Sequence, residues 1–78
     1  MIKDLREALK IARYFVLYDS YGPYGDFGSF IPLSVEYNEE KDRWIVTCKF
    51  KKGKEQYKAK LEINAIDGRV ISYKIIEK

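Results

Sequence analysis

Four runs of alternating apolar residues, joined by three short polar connections, constrain this chain more than any other feature. The runs cover residues 31 to 38, 43 to 51, 55 to 63 and 69 to 76. The connections are Glu39 to Asp42, Lys52-Gly53 and Ile66 to Gly68. Connections of two to four residues join antiparallel neighbours, because a parallel crossover needs about a dozen residues or more. The pattern therefore predicts a four-stranded antiparallel meander.

The three connections also predict which residues face each other, and a slip of one residue would invert the sheet. The first predicts the pairs Tyr37 with Trp44, Val35 with Val46 and Leu33 with Cys48. The second predicts Trp44 with Leu61, Val46 with Ala59 and Cys48 with Tyr57, and on the opposite face Arg43 with Glu62. The third predicts Ile63 with Ile71, Leu61 with Tyr73 and Ala59 with Ile75. All three connections place apolar pairs on the same buried face.

An amphipathic helix is predicted from residue 2 to about residue 18. Its apolar stripe is Ile2, Leu5, Leu9, Ala12 and Val16, at three- and four-residue steps. The second half adds Ile11, Tyr14, Phe15, Leu17 and Tyr18, so that end needs more than one surface to cover it. The expected fold class is α+β, with the N-terminal helix on one face of the sheet in the order α-β-β-β-β. Residues 1–78 are expected to form a single domain.

Composition narrows the function classes. The chain has no histidine, one cysteine and a net charge of +3, with 35% charged residues. It therefore lacks the commonest general base and metal ligand, and Cys48 has no partner for an internal disulfide. We expect a non-enzymatic protein without a cofactor or metal, and a cytoplasmic one, because no apolar run is long enough for a membrane span. The abundance of Lys and Glu resembles the composition of proteins from hot environments.

The connection between the helix and the first strand, residues 19–32, is the least ordinary segment and is called here the aromatic-glycine loop. An aromatic-Gly-x triplet occurs three times in Tyr21 to Ser29 and is followed by Phe30. Connections of this length are usually functional, and tyrosine provides rigid contact area. The predicted partner-binding residues are Tyr18, Tyr21, Tyr24, Phe27 and Phe30. The alternative is that these aromatic side chains fold back over the core as a flap.

Lysine residues are the second notable feature. Residues 43–78 contain ten basic and four acidic side chains, so this half of the chain carries most of the positive charge. The predicted register projects Arg43, Lys49, Lys58, Lys60 and Lys74 from the open face of the sheet. A basic sheet surface is suited to phosphate backbones, although the aromatic residues of these strands point to the other face. The alternative is a solvated face whose lysines discourage aggregation of the sheet.

The segment "LEINAIDGRVI" at residues 61–71 is similar to the closing hairpin of PepSY-like domains, and the element order is similar to that of small cystatin-like folds. Asn64 stands where the PepSY pattern usually has an aspartate. The resemblance covers about the C-terminal half. It implies a non-catalytic binding or inhibitory module and assigns no functional residue.

The sequence as a whole favours a small protein-binding or regulatory module that uses the C-terminal end of the helix and the aromatic-glycine loop. Its partner is expected to be another protein or a second copy, since uncovered apolar side chains at the helix end would favour a homodimer. The alternative is a nucleic-acid-binding protein that uses the lysine-rich face. No membrane partner is expected.

Overall fold

The computed structural model describes residues 4–19, 30–52 and 54–77, without the side chains of residues 18, 19 and 52. One helix, α1 (Leu5–Tyr14), continues into a π-helical segment, Phe15–Asp19. The strands are β1 (Phe30–Asn38), β2 (Arg43–Lys52), β3 (Glu55–Asn64) and β4 (Val70–Glu77). They form an antiparallel sheet in the order β1-β2-β3-β4, and α1 packs on one face. The predicted α+β fold is confirmed.

The helix begins at an N-cap. Asp4 is extended, and its Oδ1 accepts a hydrogen bond of 2.9 Å from the backbone N–H of Glu7. This bond satisfies one of the donors that the first helical turn leaves without an internal partner. At the other end, the π-helical hydrogen-bond pattern spans five residues, which places Leu17 one turn beyond Ala12. Both side chains are fully buried as a result.

The core lies between the helix and the centre of the sheet. Its buried side chains are Ala8, Ala12, Val16, Leu17, Val46, Cys48, Phe50, Ala59, Leu61 and Ile63. The sheet residues in this set lie on the face that the alternation predicts. Cys48 is fully buried, as expected for a small apolar residue.

The pairing of β2 with β3 corrects the predicted register by two residues. Lys52 pairs with Glu55, so Val46 lies opposite Leu61 rather than Ala59, and Trp44 lies opposite Ile63 rather than Leu61. The Cα partners of Cys48 and Tyr57 are Ala59 and Phe50 respectively, not each other. The reason lies at Lys52, which was predicted as a turn residue but is the last residue of β2 and joins the ladder, so the whole pairing shifts. An even shift leaves every side chain on its predicted face.

Bulges correct two further pairs. On β1 a register shift between Pro32 and Ser34 places Pro32, not Leu33, opposite Cys48. Proline has no N–H to donate to the ladder, so an irregularity next to it is expected. On β4 a shift places Val70, not Ile71, opposite Ile63. The other predicted pairs of these two hairpins are confirmed: Tyr37 with Trp44, Val35 with Val46, Leu61 with Tyr73 and Ala59 with Ile75.

The boundaries of the first connection also differ from the prediction. Residues 30–32 belong to β1, and residue 19 belongs to the π-helical segment, so the connection predicted at 19–32 is shorter at both ends. The sequence pattern did not predict Phe30 as the first residue of β1, because Phe30 continues the aromatic spacing of the preceding triplets. In the structure Phe30 nevertheless belongs to the sheet and pairs with Phe50 on β2.

Candidate functional site

The predicted aromatic site is described only in part. Phe30 is half-buried, packs against the core and has Phe50 as its Cα partner, so it contributes to the fold. The side chains of Tyr18, Tyr21, Tyr24 and Phe27 lie outside the described residues. Their assignment to partner binding remains a prediction.

An open groove lies beside the C-terminal half of α1, between the helix and the β3–β4 connection. Its volume is about 630 Å³, within the usual range for ligand-sized pockets. The helix and the π-helical segment contribute Lys10, Ile11, Tyr14 and Phe15. The β3–β4 connection contributes Gly68 and Arg69, and the start of β4 contributes Val70. We call it the helix-end groove. Apolar groups dominate its lining.

The wall formed by the β3–β4 connection is held by local hydrogen bonds. Asn64 Oδ1 accepts from the N–H of Ile66 at 2.8 Å, and Asp67 Oδ1 accepts from the N–H of Arg69 at 3.0 Å. Gly68 has φ 76°, the left-handed conformation that the sequence predicts for it. A residue with a Cβ adopts this conformation at a cost, so glycine suits the position. The carboxamide of Asn64 makes the bond that an aspartate would make in the same turn.

One lining residue of the groove, Phe15, packs against the sheet. The ring of Phe15 contacts that of Tyr73 on β4 edge to face, with centroids 5.3 Å apart. Tyr14, one residue earlier, is 59% exposed on the rim. The groove lining therefore combines an aromatic ring that packs against the sheet with an exposed tyrosine.

Electrostatically, the helix-end groove is positive. Lys10 and Arg69 line it, and none of the lining residues that the structure describes is acidic. Neither cation forms an ion pair with any residue in the part of the chain that the structure describes. No carboxylate among the described residues neutralises these two charges.

The sequence predicted a surface at the helix side of this groove but gave no prediction for the side formed by the β3–β4 connection. The surplus of apolar residues at the helix end indicated an uncovered surface, and Tyr14 is indeed exposed, whereas Leu17 is fully buried. The sequence pattern assigns Gly68 to a turn and Arg69 to the start of the last strand, and neither to a site. The sequence signal for this side of the groove was the Gly68-Arg69 pair. A glycine in the left-handed conformation fixes the turn, and the exposed arginine follows it directly.

The second predicted surface is the open face of the sheet, and the register places its residues together. Lys49 lies opposite Lys58, and Lys60 lies opposite Lys74. The fifth residue, Arg43, is at the far end of β2, where its Nη1 is 3.3 Å from Oε1 of Glu62. The predicted contact between Arg43 and Glu62 is therefore made, but diagonally, because Asn64 is the Cα partner of Arg43.

Burial raises the pKa of the Cys48 thiol to about 11. A thiol with a raised pKa is a poor nucleophile at neutral pH. Among residues 4–19, 30–52 and 54–77, no group of three or more His, Cys, Asp or Glu side chains is arranged to hold a metal ion.

No family model matches the sequence, and neither the curated proteins nor the solved structures show a significant similarity to it. The PepSY-like and cystatin-like resemblance accordingly remains a prediction. Within the described residues, no helix combines the length and apolarity that crossing a bilayer requires.

Proposed function

We propose that this protein is a non-enzymatic binding module whose helix-end groove receives a short segment of a partner protein. The observation that carries the proposal is the combination of an apolar groove with two cations and, among its described lining residues, no carboxylate. Such a groove fits a segment with one or two large apolar side chains flanked by glutamate or aspartate. The apolar side chains would provide most of the binding affinity, and the charged side chains would determine the orientation of the segment in the groove.

Two properties of the groove support a protein segment as its occupant. Its walls come from the helix and from a hydrogen-bonded connection, so little ordering is needed on binding. Tyr14 offers exposed aromatic area on the rim, and tyrosine is among the residues enriched where proteins meet. The aromatic-glycine loop follows the π-helical segment that continues α1 in the chain, so its predicted role in partner binding is compatible with this location.

The proposal is tested with two synthetic peptides, one with paired leucines flanked by glutamates and one with the same leucines flanked by lysines. Fluorescence anisotropy of labelled peptides should show preferential binding of the glutamate peptide. Reversing both groove charges, Lys10→Glu with Arg69→Glu, should weaken that binding by about tenfold, since each exposed charge contributes up to about 1 kcal/mol. A matched control reverses Arg6 and Lys41, which are exposed and do not line the groove.

Equal binding of the two peptides, or equal effects of the two charge reversals, would contradict the proposal. Sedimentation equilibrium supplies an independent outcome. A dimer that dissociates when Tyr14 is replaced by serine would make a second copy the occupant, in place of a different protein. Circular dichroism of each variant verifies that the fold is retained.

A further inference from the structure

The open face of the sheet carries an arrangement that the helix-end groove does not explain. Lys49, Lys58, Lys60 and Lys74 form a zigzag across β2, β3 and β4, and we call it the lysine ladder. It contains two directly opposite like-charged pairs, Lys49 with Lys58 and Lys60 with Lys74. Like charges directly opposite on neighbouring strands destabilise a sheet.

The ladder is poorly neutralised by the chain itself. None of its four ammonium groups lies within ion-pair distance of a carboxylate in the part of the chain that the structure describes. Glu62 is adjacent on β3 but pairs with Arg43, and the one acidic residue paired with the ladder is Glu77, opposite Lys58. A ligand with several negative charges would relieve the repulsion.

The dimensions of the ladder select the kind of anion. It spans three strands, or about 9.6 Å at the usual interstrand spacing, and residues 58 and 60 are separated by about 6.7 Å along β3. A single phosphate is too small to contact all four ammonium groups. A backbone with successive phosphates extends over the whole ladder, and its binding releases condensed counterions.

The surface around the ladder favours duplex over single-stranded nucleic acid. Its neighbours on the open face include Ile45, Thr47 and Ser72, and the described part of this face has no aromatic side chain. Binders of single strands stack bases on aromatic rings, which here lie on the helix side.

We infer that the lysine ladder binds the phosphate backbone of duplex nucleic acid without reading its sequence. This inference concerns the opposite face of the sheet from the helix-end groove and does not depend on the proposed function. The ladder contacts phosphates through four point charges. Thr47 and Ser72 lie beside those charges on the same face.

The test uses a fluorescein-labelled 20-base-pair DNA duplex of mixed sequence and fluorescence anisotropy at 50 and 200 mM KCl. Four phosphate contacts predict a slope of log K against log salt of about −3.6, or about 150-fold weaker binding at the higher salt. Replacing all four ladder lysines by glutamine should remove most of the binding at 50 mM. An unlabelled 20-nucleotide thymidine strand should compete less well than the duplex.

A charge-matched control replaces four exposed cations outside the ladder and the helix-end groove with glutamine: Arg6, Arg13, Lys41 and Lys54. Both variants lose four positive charges, so a difference between them reports location and not net charge. Equal losses of duplex binding in the two variants would overturn the inference, as would a flat salt slope. Binding of the unmodified protein to vesicles with phosphatidylserine but not to the duplex would also overturn it and would identify a lipid surface instead.

A second measurement covers the case in which the ladder variant fails to fold. The duplex is titrated into the ¹⁵N-labelled unmodified protein, and amide shifts are followed. The inference predicts the largest shifts at residues 47–49, 58–60 and 72–74. Shifts confined to α1 or to the β3–β4 connection would contradict it.

Discussion

Cys48 is the residue at which burial has the clearest chemical consequence. Its side chain is fully buried opposite Ala59, and desolvation disfavours the thiolate, which raises the pKa to about 11. The unfolded chain releases the same proton near pH 9.0. Between these values the unfolded state binds fewer protons than the folded state, so stability falls as the pH rises.

We therefore expect the folded protein to lose stability from about pH 9 to pH 11 partly through Cys48. The Cys48→Ala variant, although less stable at pH 7, should lose less of its free energy of unfolding over this range, because it has no thiol to titrate. Urea denaturation at pH 7, 9 and 11 measures the difference. Parallel pH profiles for the two proteins would show that burial does not shift this thiol.

Phe50 is the largest fully buried side chain of the sheet, and its ring stacks on that of Tyr57 with centroids 5.6 Å apart. Trp44 on the same strand is only partly buried, against Tyr37 at 5.1 Å. Phe50→Ala should therefore cost about 3 to 5 kcal/mol of unfolding free energy, and Trp44→Ala less. Denaturant midpoints at constant m-value compare the two. A larger loss for Trp44→Ala would place the centre of the core elsewhere.

At the scale of elements, the β3–β4 connection has two roles, because it is both a hairpin turn of the sheet and a wall of the helix-end groove. Gly68 holds the left-handed conformation there. Gly68→Ala should destabilise the protein by about 1 kcal/mol or more, whereas Gly68→Asn should cost less, since asparagine tolerates this conformation. Thermal unfolding of the two variants provides the measurement. Equal losses would mean that the backbone conformation at Gly68 does not limit stability.

The hairpins also show what sequence can predict about this fold. Alternation identified the buried face correctly even where the register was wrong, because the β2–β3 pairing differs from its prediction by an even number of residues. The bulges at Leu33 and Ile71 interrupt pairing locally, and alternation contains no signal for them. Pro32 was the available clue to the first bulge, since it cannot donate to the ladder.

The candidate site could likewise be predicted only in part, as the helix shows. Periodicity predicted an amphipathic helix and an apolar surplus at its end, but not the π-helical segment that buries Leu17 and leaves Tyr14 on the rim. The groove requires the helix end and the β3–β4 connection, about fifty residues apart in sequence, to come together. Single-sequence patterns carry no information on that distance.

At the scale of the whole molecule, the sheet separates two surfaces of different chemistry. The helix side has the helix-end groove, in which apolar contact would dominate, and the other side has the lysine ladder, in which charge would dominate. Salt should accordingly distinguish them. Raising KCl from 50 to 200 mM should weaken glutamate-peptide binding only severalfold, because two charges contribute, while duplex binding falls far more steeply.

The most direct test of the central claim, a binding module built around the helix-end groove, is an NMR titration of the ¹⁵N-labelled protein with the glutamate-flanked leucine peptide. The account predicts shifts concentrated at the amides of Lys10, Ile11, Tyr14, Gly68 and Val70, with residues 47–49 and 58–60 unaffected. The lysine-flanked peptide should produce much smaller changes at the same concentrations. Shifts centred on the open face of the sheet, or no saturable shifts along α1 and the β3–β4 connection, would contradict the claim.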